Sequence, residues 1–219
     1  LRDCAVGVQG QHAANLGAMI AHEIGEALGI PAFVVDPPVV DELSDVARFS
    51  GHPAIIRASK FHALNQKAIA KRFAEESGRP YESLNLIVAH MGGGTSVGCH
   101  RQGKVVDVNN GLEGEGAFTG ERCGGLTALD VVKATLSGQW GKTYPEIRQE
   151  LCMRSGLVGH TGTNDGREIS RRIAEGDKLA ELVRANGAKI KVTGISGDWY
   201  AIDYSGKTGY VSKAYITKQ

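Results

Sequence analysis

Apolar positions recur at helical spacing through the N-terminal part of the chain. Leu16, Ile20, Ile24 and Leu28, set among alanines, predict a helix over residues 13–28 that Gly29 and Pro31 bring to an end. The run Ala32-Phe33-Val34-Val35-Asp36 is short, β-branched and apolar, and predicts a buried strand. A short helix is expected over residues 41–49 and a longer one over 62–77, stopped by Gly78. Helices alternating with apolar strands argue for an α/β fold.

The centre has a different pattern. Residues 84–91 form a strongly apolar strand, followed by three glycines, a second strand over 95–100, a turn at Gln102-Gly103 and a third strand over 104–108. That order predicts an antiparallel meander. A glycine-rich loop over 111–125 precedes a helix over 127–136 and another starting near Pro145, which suits a first helical turn because its missing N–H costs nothing there. A helix over 167–175 stops at Gly176. Beyond it, alternating residues at 189–192, 199–204 and 210–211 are separated by turns at Gly197-Asp198 and Ser205-Gly206. Five of the thirteen aromatics (Trp199, Tyr200, Tyr204, Tyr210 and Tyr215) fall in this tail, marking a distinct β module. The expected boundary lies between Asp177 and Arg184, with domains over 1–180 and 185–219.

Composition narrows the function classes. With 42% hydrophobic and 22% charged residues, a chain of 219 residues is expected to bury a core. A formal charge of +1 gives no electrostatic reason to expect nucleic acid or an anionic membrane as partner. Cys4, Cys99, Cys123 and Cys152 form no CxxC pair and are too sparse for a disulfide scaffold, which fits reduced thiols in a cytoplasmic protein. No stretch approaches the ~20 apolar residues that span a bilayer, and no signal peptide is visible.

Candidate chemistry concentrates in two segments. In His90-Met91-Gly92-Gly93-Gly94-Thr95-Ser96, glycines permit positive φ and close approach of backbone to a ligand. Consecutive N–H groups can cradle phosphate, and Thr95 and Ser96 add hydroxyls. Taken alone, three glycines are weak evidence and fit a flexible hairpin turn better. The second segment runs from Asn109 to Gly125 and sets Glu113, Glu115, Glu121 and Arg122 among glycines. Arg122 could fork two N–H bonds onto a carboxylate or phosphoryl group, although for any one of these residues alone a solvated loop with a surface ion pair is the better fit.

Together the motifs resemble a known family. The run Asn85 to Gly98, with Asp107-Val108-Asn109-Asn110 and Glu113-Gly114-Glu115-Gly116, is similar to the butyrate kinases, of the acetate kinase group in the actin-like ATPase (ribonuclease H-like) superfamily. Further similarity lies in Phe61-His62-Ala63-Leu64-Asn65-Gln66-Lys67, Phe33-Val34-Val35-Asp36-Pro37, His12-Ala13-Ala14-Asn15-Leu16-Gly17 and Gly162-Thr163-Asn164-Asp165 with Arg167. The resemblance implies phosphorylation of butyrate or a related short carboxylate by ATP. Gly92, Gly93 and Gly94, with Thr95 and Ser96, would bind the ATP phosphates; His90 and Arg122 would stabilise the transferring phosphoryl; His12, Asn15 and Asn65 would line the carboxylate pocket, where capping or packing is an even alternative. Mg2+ is expected through few protein ligands, with none assigned, and a homo-oligomer fits the family.

Two features depart from the family pattern. The first phosphate loop is not found ahead of Leu1, and the adenosine-binding segment is not found after Gly176, so the resemblance predicts an incomplete kinase domain. In its place, Gly197-Asp198-Trp199-Tyr200-Ala201-Ile202, Gly206-Lys207-Thr208-Gly209-Tyr210-Val211 and Ala214-Tyr215-Ile216 resemble the later strands of a bacterial SH3-like domain. A fusion, an engineered chimera and an unusual gene product all explain that join. The alternative to a working kinase is an inactive kinase-like scaffold whose SH3-like module binds a peptide or cell-wall ligand.

Overall fold

The computed structural model describes residues 1–8, 13–185, 191–196, 199–204 and 207–212. The chain divides into two compact units: residues 1–90 with 95–116, and residues 91–94 with 117–219.

The first unit opens with helices α1 (Arg2–Val6) and α2 (Ala14–Leu28), the latter closed by Gly29 in the left-handed conformation. The expected strand at 32–36 is not formed. The segment is irregular, and Phe33, Val34 and Val35 are exposed, because no neighbouring strand pairs with it among the described residues. Residues 41–49 yield only a 3-10 turn, Asp45–Arg48, and Phe49 forms an isolated bridge with Ile56.

Helix α3 (Ala63–Glu76) leads into the meander of β1 (Asn85–Met91), β2 (Thr95–Arg101) and β3 (Lys104–Val108), with β2 central. The β2–β3 hairpin turns on Gln102 and Gly103, both at positive φ (52° and 78°), as a two-residue primed turn requires. Pairing shifts register between Cys99 and His100. At that bulge the Val106 carbonyl turns away from the ladder and accepts from Ser44 N–H (2.9 Å) and Ser44 Oγ–H (3.1 Å).

Two apolar clusters hold this unit. Leu43, Ala47, Phe61, Ala63, Val105 and Val108 form one; Ala70, Ala74, Tyr81, Leu84 and Val88 form the other. Between them Lys67 is buried and compensated by Glu42 (2.7 Å) and Asp36 (3.4 Å).

The second unit holds α4 (Ala128–Leu136), α5 (Tyr144–Met153), α6 (Gly156–Thr161), α7 (Gly166–Ala174) and α8 (Lys178–Ala185). Thr143 and Glu146 close a capping box on α5, with Pro145 in its first turn. Asp165 caps α7 by accepting from Arg167 N–H (2.9 Å). Helix α8 occupies the stretch where the sequence suggested a boundary, anchored by Asp177, whose carboxylate accepts from Ala180 N–H and pairs with Arg172. The tail forms an antiparallel sheet of β4 (Lys191–Ser196), β5 (Trp199–Tyr204) and β6 (Lys207–Ser212). The turns expected at Gly197-Asp198 and Ser205-Gly206, Tyr215, and the candidate His12 lie outside the described residues.

Candidate active site

In the first unit, α3 and β2 bring a set of polar side chains together. His62 stands at the N-cap position of α3 without a side-chain capping bond, and Asn65 and Gln66 follow in the first turn, three and four residues on, so the three share one face. Asn65 Oδ1 lies 3.0 Å from His90 Nδ1, which tethers the histidine near the end of β1. The His62 and His90 rings stack, with centroids 3.8 Å apart and planes 12° from parallel. His62 Nδ1 lies 2.9 Å from Ser96 Oγ. Gln66 donates from Nε2 to both the carbonyl (2.9 Å) and the hydroxyl (2.8 Å) of Ser96. Its Oε1 meets His100 Nε2 at 3.0 Å, and His100 Nδ1 meets the Tyr81 hydroxyl at 2.6 Å.

Gln66, Ser96 and His100 are all fully buried. Burial holds the His100 imidazole down at about 4, and the Lys67 ammonium adds to that depression. Burial also pushes the Tyr81 hydroxyl up to about 12, reinforced by the carboxylates of Glu42 and Asp36. At neutral pH His100 is therefore uncharged and Tyr81 keeps its proton. Gly98 is what lets Gln66 reach this position, since a Cβ there would collide with Gln66 Oε1 and crowd His100 Nε2 at 3.2 Å.

The loop after β3 is tied down by its own side chains. Asn109 accepts from Val97 N–H (2.7 Å) and donates to the carbonyls of Thr95 (3.1 Å) and Glu115 (2.8 Å). Glu113 pairs with Lys60 (2.7 Å), and Glu115 with Arg57 (3.3 Å). These carboxylates hold the loop in place.

In the second unit the glycine turn packs against residues 119–121. Thr119 Oγ1–H (2.6 Å) and Glu121 N–H (3.0 Å) both donate to the Gly93 carbonyl, and Gly92 N–H donates to Gly94 (3.0 Å). None of Gly92, Gly93 and Gly94 adopts positive φ, contrary to the expectation from sequence. The need for glycine is close approach: a Cβ on Gly93 would lie 2.9 Å from the Glu121 carboxyl carbon. Asn164 Nδ2 fixes that carboxylate from its other side at 2.9 Å. Arg122 is largely buried, 4.0 Å from Glu121 Oε2, and its backbone N–H donates to Thr119 Oγ1 (3.2 Å). The carbonyls of Thr119 and Gly120 accept from Leu157 and Val158 N–H, both at 2.9 Å, which satisfies the open amides at the start of α6 and stiffens the loop.

The structure thus joins His90 to Asn65 and sets Gly92, Gly93 and Gly94 against the loop that carries Arg122. Thr95 and Ser96 start β2, where Ser96 faces inward and its hydroxyl is engaged by Gln66 and His62. Asn15 is half-buried in the first turn of α2. No cluster of three or more His, Cys, Asp or Glu able to hold a metal exists among the described residues. No described helix is long and apolar enough to cross a membrane.

Residues 43–186 match the model of the Acetokinase family, about two-thirds of the chain. The chain belongs to that family. Residues 176–217 match a Bacterial SH3 domain, so a second family occupies the C-terminal region. Butyrate kinase 2 of Clostridium acetobutylicum is 53% identical over 182 residues, covering 83% of this chain and 51% of that protein. A probable butyrate kinase of Clostridium botulinum is 54% identical over 183 residues, covering 84% and 51%. The chain spans about half the length of the curated relatives it matches. Among solved structures, a propionate kinase from Francisella tularensis superposes with a TM-score of 0.65 at 25% identity, over 84% of this chain and 48% of that one. The α/β fold expected from the sequence is that of the acetate and propionate kinases, an actin-like ATPase architecture.

Sequence reasoning singled out His90 and Asn65 but missed Tyr81, Gln66 and His100. One signal was present. Ser96, Gly98 and His100 alternate along β2 on its buried face, where a strand packed on a core ordinarily carries apolar side chains.

Proposed function

We propose that this chain carries the phosphoryl-transfer half of an ATP-dependent carboxylate kinase, which converts butyrate or a related short acid and ATP into acyl phosphate and ADP. A carboxylate oxygen attacks the γ-phosphorus, the bond to the β-phosphate oxygen breaks, and ADP leaves with that electron pair. Such transfer depends on positioning and on neutralising charge rather than on covalent chemistry by the protein. His90 and Arg122 stabilise the transferring phosphoryl. The Gly92–Gly93–Gly94 turn, with Thr95 beside it, lies along the ATP phosphates, and Ser96 supports the site from the interior. Asn65 orients His90 by accepting from its Nδ1–H, and Asn15 and His12 contribute to the carboxylate pocket. The observation that carries this reading is the placement of His90 near the end of a strand, tethered by Asn65 and stacked on His62, two residues before the glycine turn.

Magnesium chemistry fits these residues only loosely. The described carboxylates near the motifs are engaged by Lys67, Lys60, Arg57 and Asn164. A Mg2+ ion would therefore arrive with the ATP phosphates and keep much of its shell as water.

The test is acyl phosphate formation from butyrate and Mg-ATP, trapped as hydroxamate. Product well above a His90→Ala control supports the reading, and product equal to that control from a folded protein removes it. Arg122→Ala is expected to lower turnover more than tenfold with the fold retained, and an unchanged rate would take Arg122 out of the mechanism.

The Bacterial SH3 match favours a second reading, a kinase-like scaffold whose C-terminal module binds a peptide or cell-wall glycan. Labelled Mg-ATP separates the two readings, because the scaffold binds none. The division of the chain into 1–180 and 185–219 belongs to this proposal, and calorimetry showing one joint transition would contradict it.

A further inference from the structure

The buried side chains behind His90 form a chain of hydrogen bonds whose direction Gln66 fixes. Its Nε2 faces the Ser96 carbonyl, which only accepts, so its Oε1 faces His100 and accepts from Nε2–H. His100 is uncharged, so its Nδ1 carries no proton and accepts from the Tyr81 hydroxyl. Gln66 spends its two Nε2 protons on the carbonyl and the hydroxyl of Ser96. The Ser96 oxygen accepts from Gln66 Nε2 and from the His62 backbone N–H (3.4 Å), which uses both its lone pairs, so its one proton points to His62 Nδ1. Each donor in the series has one acceptor, from the core to the imidazole that stacks on His90.

We propose that His62 is a positioning residue for His90, held in the Nε2–H form by this directional chain from Tyr81 through His100, Gln66 and Ser96. The inference rests on the reading of His90 as the group that stabilises the transferring phosphoryl. To do so His90 donates from Nε2 while its Nδ1–H is held by Asn65, which makes it a cation during the transfer. A second cation stacked at a centroid separation of 3.8 Å would oppose that charge strongly in a partly buried site. Fixing His62 Nδ1 as an acceptor keeps the stacked partner uncharged and its ring plane constant.

The chain is built at some cost, which argues against simple packing. Three fully buried polar side chains stand where apolar ones would pack without hydrogen-bond partners. A fully satisfied buried network is the kind of arrangement that specifies one geometry. Phenylalanine at position 62 would supply the same stacking surface without any of it.

The test reads ring nitrogens directly by long-range proton–nitrogen NMR on the full chain labelled with 15N-histidine. The expected result is a His62 signal of the Nε2–H tautomer alone. In Ser96→Ala and His62→Phe, His90 ring signals are expected to shift while circular dichroism stays that of the parent. Under the kinase reading, His62→Phe lowers acyl phosphate turnover at least tenfold with little change in KM for ATP, and His62→Gln, which can still accept from Ser96, recovers part of the rate. A parent His62 that mixes both tautomers overturns the proposal, and needs no variant to fold. Unchanged His90 signals in both folded variants overturn it too. If the parent makes no acyl phosphate, the functional reading fails by itself, while the nitrogen signals still decide whether His62 sets His90.

Discussion

Helices α2 and α3 invert what their sequences suggest. The face of α2 carries Leu16, Ile20, Ile24 and Leu28, yet these residues are 53–66% exposed, and among the described residues neither apolar cluster draws a side chain from this helix. The face of α3 includes Gln66 and Lys67, yet Ala63, Gln66, Lys67, Ala70 and Ala74 are all buried. Periodicity marks a face suited to burial; a partner surface decides whether burial happens. For α3 that partner is the meander, which accepts polar side chains because β2 offers Ser96, Gly98 and His100 to meet them. Residues 30–35, which follow α2 and its Gly29 cap, are irregular and exposed.

The largest break in this contrast should come from Phe61, fully buried in the first cluster. Phe61→Ala should cost about 3–5 kcal/mol, which is the usual cost of a large core truncation. Urea unfolding would show it, and a loss under about 1 kcal/mol would mean that the cluster does not stabilise this unit. Next in size is Lys67→Met. It leaves Glu42 and Asp36 without their cation and should cost roughly 2–4 kcal/mol, reduced from a fully buried pair because both carboxylates are partly exposed. A neutral outcome would mean that the ion pairs contribute nothing measurable.

The acid limb of stability sharpens the comparison further. His100 titrates at about 4 when folded against 6.5 when unfolded, so the unfolded chain takes up a proton that the folded chain refuses between those values. Stability is therefore expected to fall as pH drops from about 6.5 to 4. Burial pushes the Glu42 carboxyl up, but hydrogen bonds from Lys67 and Val105 outweigh it and leave it below its usual 4.5. Its contribution is present above that value and is lost as pH falls through the lowered one. His100→Gln should flatten the upper part of this limb and Glu42→Gln the lower; curves parallel to the parent would remove both assignments. The smallest effects belong to the α2 region. Phe33→Ala, at a residue 80% exposed, and Ile20→Ser should each change stability by about 0.5 kcal/mol or less.

Much of the framework was legible because its signals are local. The primed turn at Gln102-Gly103, the first-turn Pro145 and the stops at Gly78 and Gly176 all act within a few residues. What stayed hidden depends on distant partners. The 32–36 run has strand composition but lacks a strand to pair with, and the three glycines serve close approach to Glu121, a contact between segments 28 residues apart in sequence. His90 and Asn65 were visible through family motifs. The Tyr81–His100–Gln66–Ser96 series was not, because its members come from separate elements and each one alone looks like an ordinary polar residue.

Amide hydrogen exchange on α2 and α3 tests the contrast most directly, since both are helices with the same internal bonding. Amides from Ile69 to Phe73 are expected to exchange about a hundredfold or more slowly than those from Ile20 to Ile24, near the rate set by global unfolding. Equal protection in the two helices would contradict it, because α2 would then be held as firmly as the helix that carries the histidine framework.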